Sequence, residues 1–155
     1  MPEKETLERA EEDAREGKSP STQAGEFVRE EMHHIREGKH GAASTKQTIA
    51  IGLSKARRAG VKLPQPKKGT ASTETRTKAR RDLRQGNTLQ KPSRRRSRAT
   101  TAALKNKGRA AASKKSLATQ ARSAARKRGS GARKRSAMKA VRTKGNRVQA
   151  ARKAA

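Results

Sequence analysis

Large apolar side chains are sparse along this chain, and only one stretch arranges them with a helical period. Ala24, Phe27, Val28, Met32 and Ile35 recur at spacings of three to four, which predicts one apolar face on a helix over about residues 22–37. Gly38 stops that helix. Ser44-Thr45-Lys46-Gln47 then reads as a capping box, with Ser44 as N-cap and the Gln47 side chain reaching back. Ile49, Leu53 and Ala56 continue the stripe on a second helix over about 45–59, closed by Gly60. Val61, Leu63 and Pro64 are the apolar and proline signals expected just beyond a helix end. Residues 20–64 therefore read as a helical hairpin. Its few large apolar side chains bury too little to offset ordering about forty residues at roughly 1.5 kcal/mol each. The hairpin is expected to need DNA, a partner chain or another segment of this chain to hold it.

The flanks are different. Residues 1–19 predict an acidic helix, entered through Pro2 and closed by Gly17, with Glu5–Arg9 and Glu11–Arg15 at stabilising spacings of four. Leu7 is its one large aliphatic after Met1, so it is expected to lie exposed and frayed. Residues 65–70 read as a linker and 71–86 as a third helix carrying only Leu83 as a large aliphatic. Residues 87–155 are low in complexity, rich in Ala, Ser, Thr, Lys, Arg and Gly. Sparse apolar residues with high net charge are the composition of a chain that stays unfolded alone. The expected fold class is mostly α, a small helical hairpin with an extended, largely disordered or loosely helical basic tail and no β-sheet.

Charge changes the picture from fold to function. Lys and Arg number 42 against 13 acids, a formal net charge of +29. Residues 1–43 carry a net −4 and residues 44–155 a net +33, and no acid follows Asp82. A solvated surface normally mixes both signs. A one-sign run this long points instead to a polyanion, because each neutralised phosphate releases condensed counterions. The candidate contacts are Lys46, Lys55, Arg57 and Arg58 on the hairpin and Arg94, Arg95, Arg96, Arg98, Lys114, Lys115, Arg126, Lys127, Arg128, Arg133, Lys134 and Arg135 in the tail. Single-strand and RNA modules stack bases on aromatics, and Phe27 is the one aromatic residue. Duplex DNA is thus favoured, with RNA or a ribosome as the alternative and a protein-interaction adaptor using the hairpin as another. Self-association or a protein partner is expected at residues 21–63.

Other chemistries fare worse. Gln47 on the second helix suits adenine in a helix-turn-helix reader, but the connection is longer than that motif uses, and a packing hairpin with a basic rim is preferred. Lys107-Gly108-Arg109 and Lys91-Pro92-Ser93-Arg94-Arg95-Arg96 hint at minor-groove arms without a full hook. Glu30–His33 and Glu31–His34 have the Glu-x-x-His spacing of di-metal bundles, yet no second pair exists. His33 and His34 therefore read as surface residues, with no metal or cofactor expected. Cysteine is absent, no phosphate loop is present and no acid pair lies in an apolar setting, so no enzyme is expected. No apolar run reaches a membrane span and the acidic start lacks a signal-peptide core. A cytoplasmic, nucleoid-associated location in a bacterium follows as the expectation.

Ser44–Gly60 and Ser113–Gly129 have the same length, each with Ser first, Lys two positions later and a Ser-x-Ala-Arg-basic-x-Gly ending. The stretch from Ser44 to Gly60, preceded by Glu31-Met32-His33-His34 and Gly38-Lys39-His40-Gly41, resembles the recurrent core of small basic bacterial proteins of uncharacterised function. The likeness covers about residues 20–64 and implies a bacterial source. The tail is similar in composition to histone H1-like bacterial proteins, a resemblance that implies DNA coating and compaction.

Overall fold

The computed structural model describes residues 2–88 and 93–154, whose regular elements are all helices, without a strand among them. The elements are α1 (Lys4–Arg15), α2 (Pro20–Arg36), α3 (Thr45–Arg58), α4 (Thr73–Thr88), α5 (Arg94–Lys105), a short 3₁₀ turn (Ala110–Ala112) and α6 (Lys114–Ala154). The chain divides into two compact units, residues 1–116 and 117–155.

In the first unit α2 packs on α3, and α1 and α4 pack on either member of that pair. The core gathers Ala10, Ala24, Phe27, Ala56 and Val61, with Leu7, Leu53 and Leu63 packed against it. Phe27 and Ile35 are fully buried. The α2–α3 crossing depends on Gly52, where an added Cβ would stand 2.7 Å from the Cα of Val28. No residue with a side chain fits there without pushing the helices apart.

Local signals account for the helix ends. Pro20 occupies the first turn of α2, where its missing N–H costs nothing. Gly38, at φ 81°, turns the chain back after α2, and the Lys39 N–H bonds the His34 carbonyl. At α3 the Ser44 hydroxyl accepts from the Gln47 N–H at 3.2 Å, while the Gln47 side chain accepts from Ala43 rather than from Ser44 itself, a box stretched by one residue.

Two expectations are revised by the packing. The first helix is not an exposed, frayed segment: Thr6, Ala10 and Asp13 are buried and Leu7 touches the core. The positions it buries are small or polar, so apolar bulk was the wrong measure of what it buries. Lys18 pins its end, reaching Asp13 and Glu16 at 2.7 Å each, and the Asp13 hydrogen bond is the main influence raising the Lys18 pKa. The basic tail, in turn, is not separate from the fold along its whole length. The Gly41 and Ala42 N–H groups donate to the carbonyls of Leu104 and Gly108, at 3.0 and 3.2 Å. The Thr45 hydroxyl donates to Ala111 O at 2.6 Å and Arg36 Nε to Ala112 O at 3.0 Å. Ala111 and Ala112 are buried by this contact. Residues 104–112 thereby cover the α2–α3 connection.

The second unit holds most of α6, which carries a non-helical residue at Gly129 (φ 73°, ψ 167°). Met138 and Val141 stay largely exposed there. The tail, expected to be extended, largely disordered or loosely helical, carries α5 and α6, the latter interrupted at Gly129. The segments Ser44–Gly60 and Ser113–Gly129 share geometry as well as sequence. In each the first Ser accepts from the N–H three residues on, and each closes on a left-handed glycine.

Candidate nucleic-acid interface and a buried carboxylate–histidine cluster

The hairpin cations separate into two kinds. Lys46 is exposed at the start of α3. Lys55 turns inward, 3.0 Å from Glu30 Oε1 and in contact with Glu31. Desolvation is the largest influence on its amine and lowers its pKa, but the two carboxylates together outweigh it and leave the pKa raised. Arg57 is buried and donates to the carbonyls of Leu53, Leu63 and Pro64, pinning the chain beyond α3. Burial pushes its pKa down, against the field of Asp82. Arg58 donates from Nε and Nη2 to Asp82 Oδ1 at 3.0 and 2.9 Å, and Ser54 donates to the other oxygen at 2.7 Å. Lys55, Arg57 and Arg58 thus hold the fold together, and sequence periodicity had no means of telling them from Lys46.

The tail cations stand differently. Arg94, Arg95, Arg96 and Arg98 are exposed on α5. Lys114, Lys115, Arg126, Lys127, Arg128, Lys134 and Arg135 are exposed on α6, as is Arg133, whose guanidinium donates to the Ala125 carbonyl at 3.2 Å. The two sequences that hinted at minor-groove arms part company. Gly108 gives its carbonyl to Ala42 and Arg109 packs beside Gly38, whereas Lys91 and Pro92 lie outside the described residues.

A second constellation emerges on α2. Glu30 and Glu31 are buried on the face that meets α1 and α3. His34 Nε2 lies 2.8 Å from Glu3 Oε1, and Lys39 Nζ lies 3.1 Å from the same oxygen. The His34 hydrogen bond first, then Lys39, hold the Glu3 carboxyl at a pKa of about 2. The Glu3 N–H donates to Glu30 Oε2 at 3.2 Å, which ties the start of α1 to the same cluster. Past the Gly38 turn, His40 returns over α2 with Nε2 3.4 Å from Glu31 Oε2 and Nδ1 3.1 Å from the Gly41 carbonyl. His33 is exposed as expected, but His34 is mostly buried, with 12% of its side chain accessible. The Glu31–His34 spacing was visible in the sequence. His40 was not, because only the turn at Gly38 brings it to the same carboxylate.

Residues 17–68 match a family of unknown function (DUF6496). That segment contains α2, α3, Glu30, Glu31, His34, His40 and Lys55, and it stops short of α4, α5 and α6. No curated protein and no solved structure matches the chain. Among the described residues, no helix is long and apolar enough to cross a membrane.

Proposed function

We propose that the protein is a non-enzymatic DNA-coating protein of a bacterial nucleoid, held on duplex DNA by phosphate contacts with no base preference. One observation carries this reading: after Asp82 the chain has 24 Lys and Arg and no acid, and the cations of α5 and α6 named above face solvent. No acidic side chain of this stretch of sequence balances those charges, and a polyanion supplies the balance with a gain from released counterions. Lys55 and Arg57 are engaged within the fold, and Arg58, though bonded to Asp82, keeps 44% of its side chain accessible, so on the hairpin the reading leans on Lys46 and Arg58. In this reading phosphate contacts supply affinity, and such contacts carry no sequence information. Favouring duplex over single strands rests on the scarcity of aromatic stacking platforms.

The test is an anisotropy titration of the full chain against unrelated duplexes and a structured RNA of similar length, at several salt concentrations. A steep fall in affinity with salt, indifference to sequence and preference for duplex DNA are expected. A flat salt response removes phosphate binding altogether, and preference for the RNA moves the protein to the RNA- or ribosome-associated class.

A further inference from the structure

We propose that Glu31, His34 and His40 form a binding site for one divalent transition-metal ion of the zinc type. Their candidate ligand atoms all lie within 4.8 Å of one another. Each histidine is already oriented by a hydrogen bond through its other nitrogen. A backbone carbonyl only accepts, so at 3.1 Å from Gly41 O the Nδ1 of His40 carries the proton. Its Nε2 lone pair then faces Glu31 Oε2 at 3.4 Å. The ionised carboxylate of Glu3 likewise only accepts, so His34 Nε2 is the protonated nitrogen. Its Nδ1 lone pair faces Glu31 Oε1 at 3.7 Å.

With both rings neutral, two imidazole lone pairs converge on a fully buried carboxylate, and at Oε2, away from the Lys55 ammonium, they repel it unless a proton or a metal ion stands between. Among the described residues none donates a hydrogen bond to Glu31 Oε2, although it is wholly removed from solvent. A buried carboxylate oxygen left this way is costly. A cation bound by Oε2, His40 Nε2 and His34 Nδ1 removes the repulsion and the missing partner together. Tetrahedral zinc with bonds of about 2.0–2.2 Å sets its ligand atoms about 3.3 Å apart, so side-chain rotations of an ångström or so complete the site.

The surrounding groups fit the same chemistry. Imidazole donors outward to a carbonyl and a carboxylate are the partners that fix metal-binding histidines. Lys55 takes the other Glu31 oxygen and Glu30, so Glu31 has one oxygen for the metal. Glu3, Glu30, Glu31 and Glu37 against Lys39 and Lys55 leave two net negative charges, which a dication balances. Two nitrogens and one carboxylate oxygen, without thiolate, suit zinc and its neighbours rather than calcium or magnesium. Bound there, the ion clamps the last turn of α2 to the connection that leads into α3, so binding contributes directly to folding.

The experiment uses the full chain, stripped with a chelator, titrated with Zn²⁺ by calorimetry and with Co²⁺ by visible absorption. One equivalent bound, a Co²⁺ spectrum of low-coordinate character and a raised melting temperature are expected. His40→Ala and His34→Ala should each weaken binding by at least about tenfold, while His33→Ala, which removes an exposed side chain outside the Glu31–His34–His40 cluster, should bind as the parent does. Because His34→Ala disturbs the Glu3 contact, circular dichroism of each variant checks that helix content is retained, and His40→Gln provides a milder second substitution. Absence of saturable binding overturns the proposal. So does binding that His40→Gln and His34→Ala leave unchanged, or a melting temperature that depends on pH but not on metal, which would mean that protons alone bridge the cluster.

Discussion

Arg58 donates two hydrogen bonds to a single oxygen of Asp82, the last acidic residue of the chain, and so joins α3 to α4. Asp82 is 4% exposed and its second oxygen holds Ser54. The closing acid of the sequence is therefore committed to the fold and does nothing to neutralise the tail. Replacing it, Asp82→Ala, leaves Ser54 without its acceptor and Arg58 without its partner, a loss of about 1–3 kcal/mol. Urea denaturation should show the lower midpoint, and limited proteolysis should show earlier cleavage in α4 than in α2.

Gly52→Ala has two opposing effects whose sum is a test of the α2–α3 crossing. Helix propensity alone favours Ala over Gly by about 1 kcal/mol. The new Cβ, however, would meet Val28 backbone at 2.7 Å, and overpacking of that kind costs about 1–3 kcal/mol. Net destabilisation in thermal melts is expected, and a gain in stability would show that the helices cross elsewhere.

Gly41→Ala addresses the covering segment, since a Cβ there would stand inside the Lys107 carbonyl. Residues 104–112 should detach. The Ala42 amide, bonded to Gly108 O in the parent, should then exchange with solvent about tenfold faster or more. Amides in the middle of α2 serve as the internal reference and should change much less.

Exposed and engaged cations predict separable defects. Substituting Arg94, Arg95, Arg96 and Arg98 together by Gln should reduce the slope of log affinity against log salt by up to about three to four, with stability unchanged. Arg57→Gln should do the reverse, lowering the unfolding midpoint while leaving the salt slope of the folded protein near its parent value. Salt-dependent anisotropy alongside denaturation of each variant distinguishes them.

How much of this was legible in the sequence follows from the kind of force involved. The apolar stripe through Phe27 and Ile35, the Ser44 cap and the glycines after α2 and α3 are local signals, and α2 and α3 lie within two residues of where those signals put them. The docking of α4 is of another kind. Its buried face is Ala79, Asp82 and Gly86, where a Cβ on Gly86 would collide with the Arg57 carbonyl, so small size and one carboxylate replace apolar bulk. Hydrophobic periodicity is blind to such a face. The cover over the α2–α3 connection is made by backbone carbonyls of Gly108, Ala111 and Ala112, which every residue type carries. Nor does composition reveal that Lys55 is spent on two carboxylates, since a lysine on a helix looks the same whichever way it points.

The hydrogen bonds from Arg36 and Thr45 to Ala112 and Ala111 span 76 and 66 residues of chain. During synthesis, the α2–α3 connection consequently waits for most of the polypeptide before its final partner emerges from the ribosome. The early product is net acidic and the late product strongly basic, so a nascent chain can finish its anchoring unit only once its first cluster of tail arginines is already outside the exit tunnel. Maturation of the scaffold and readiness to engage a polyanion are thus bound to the same moment of translation.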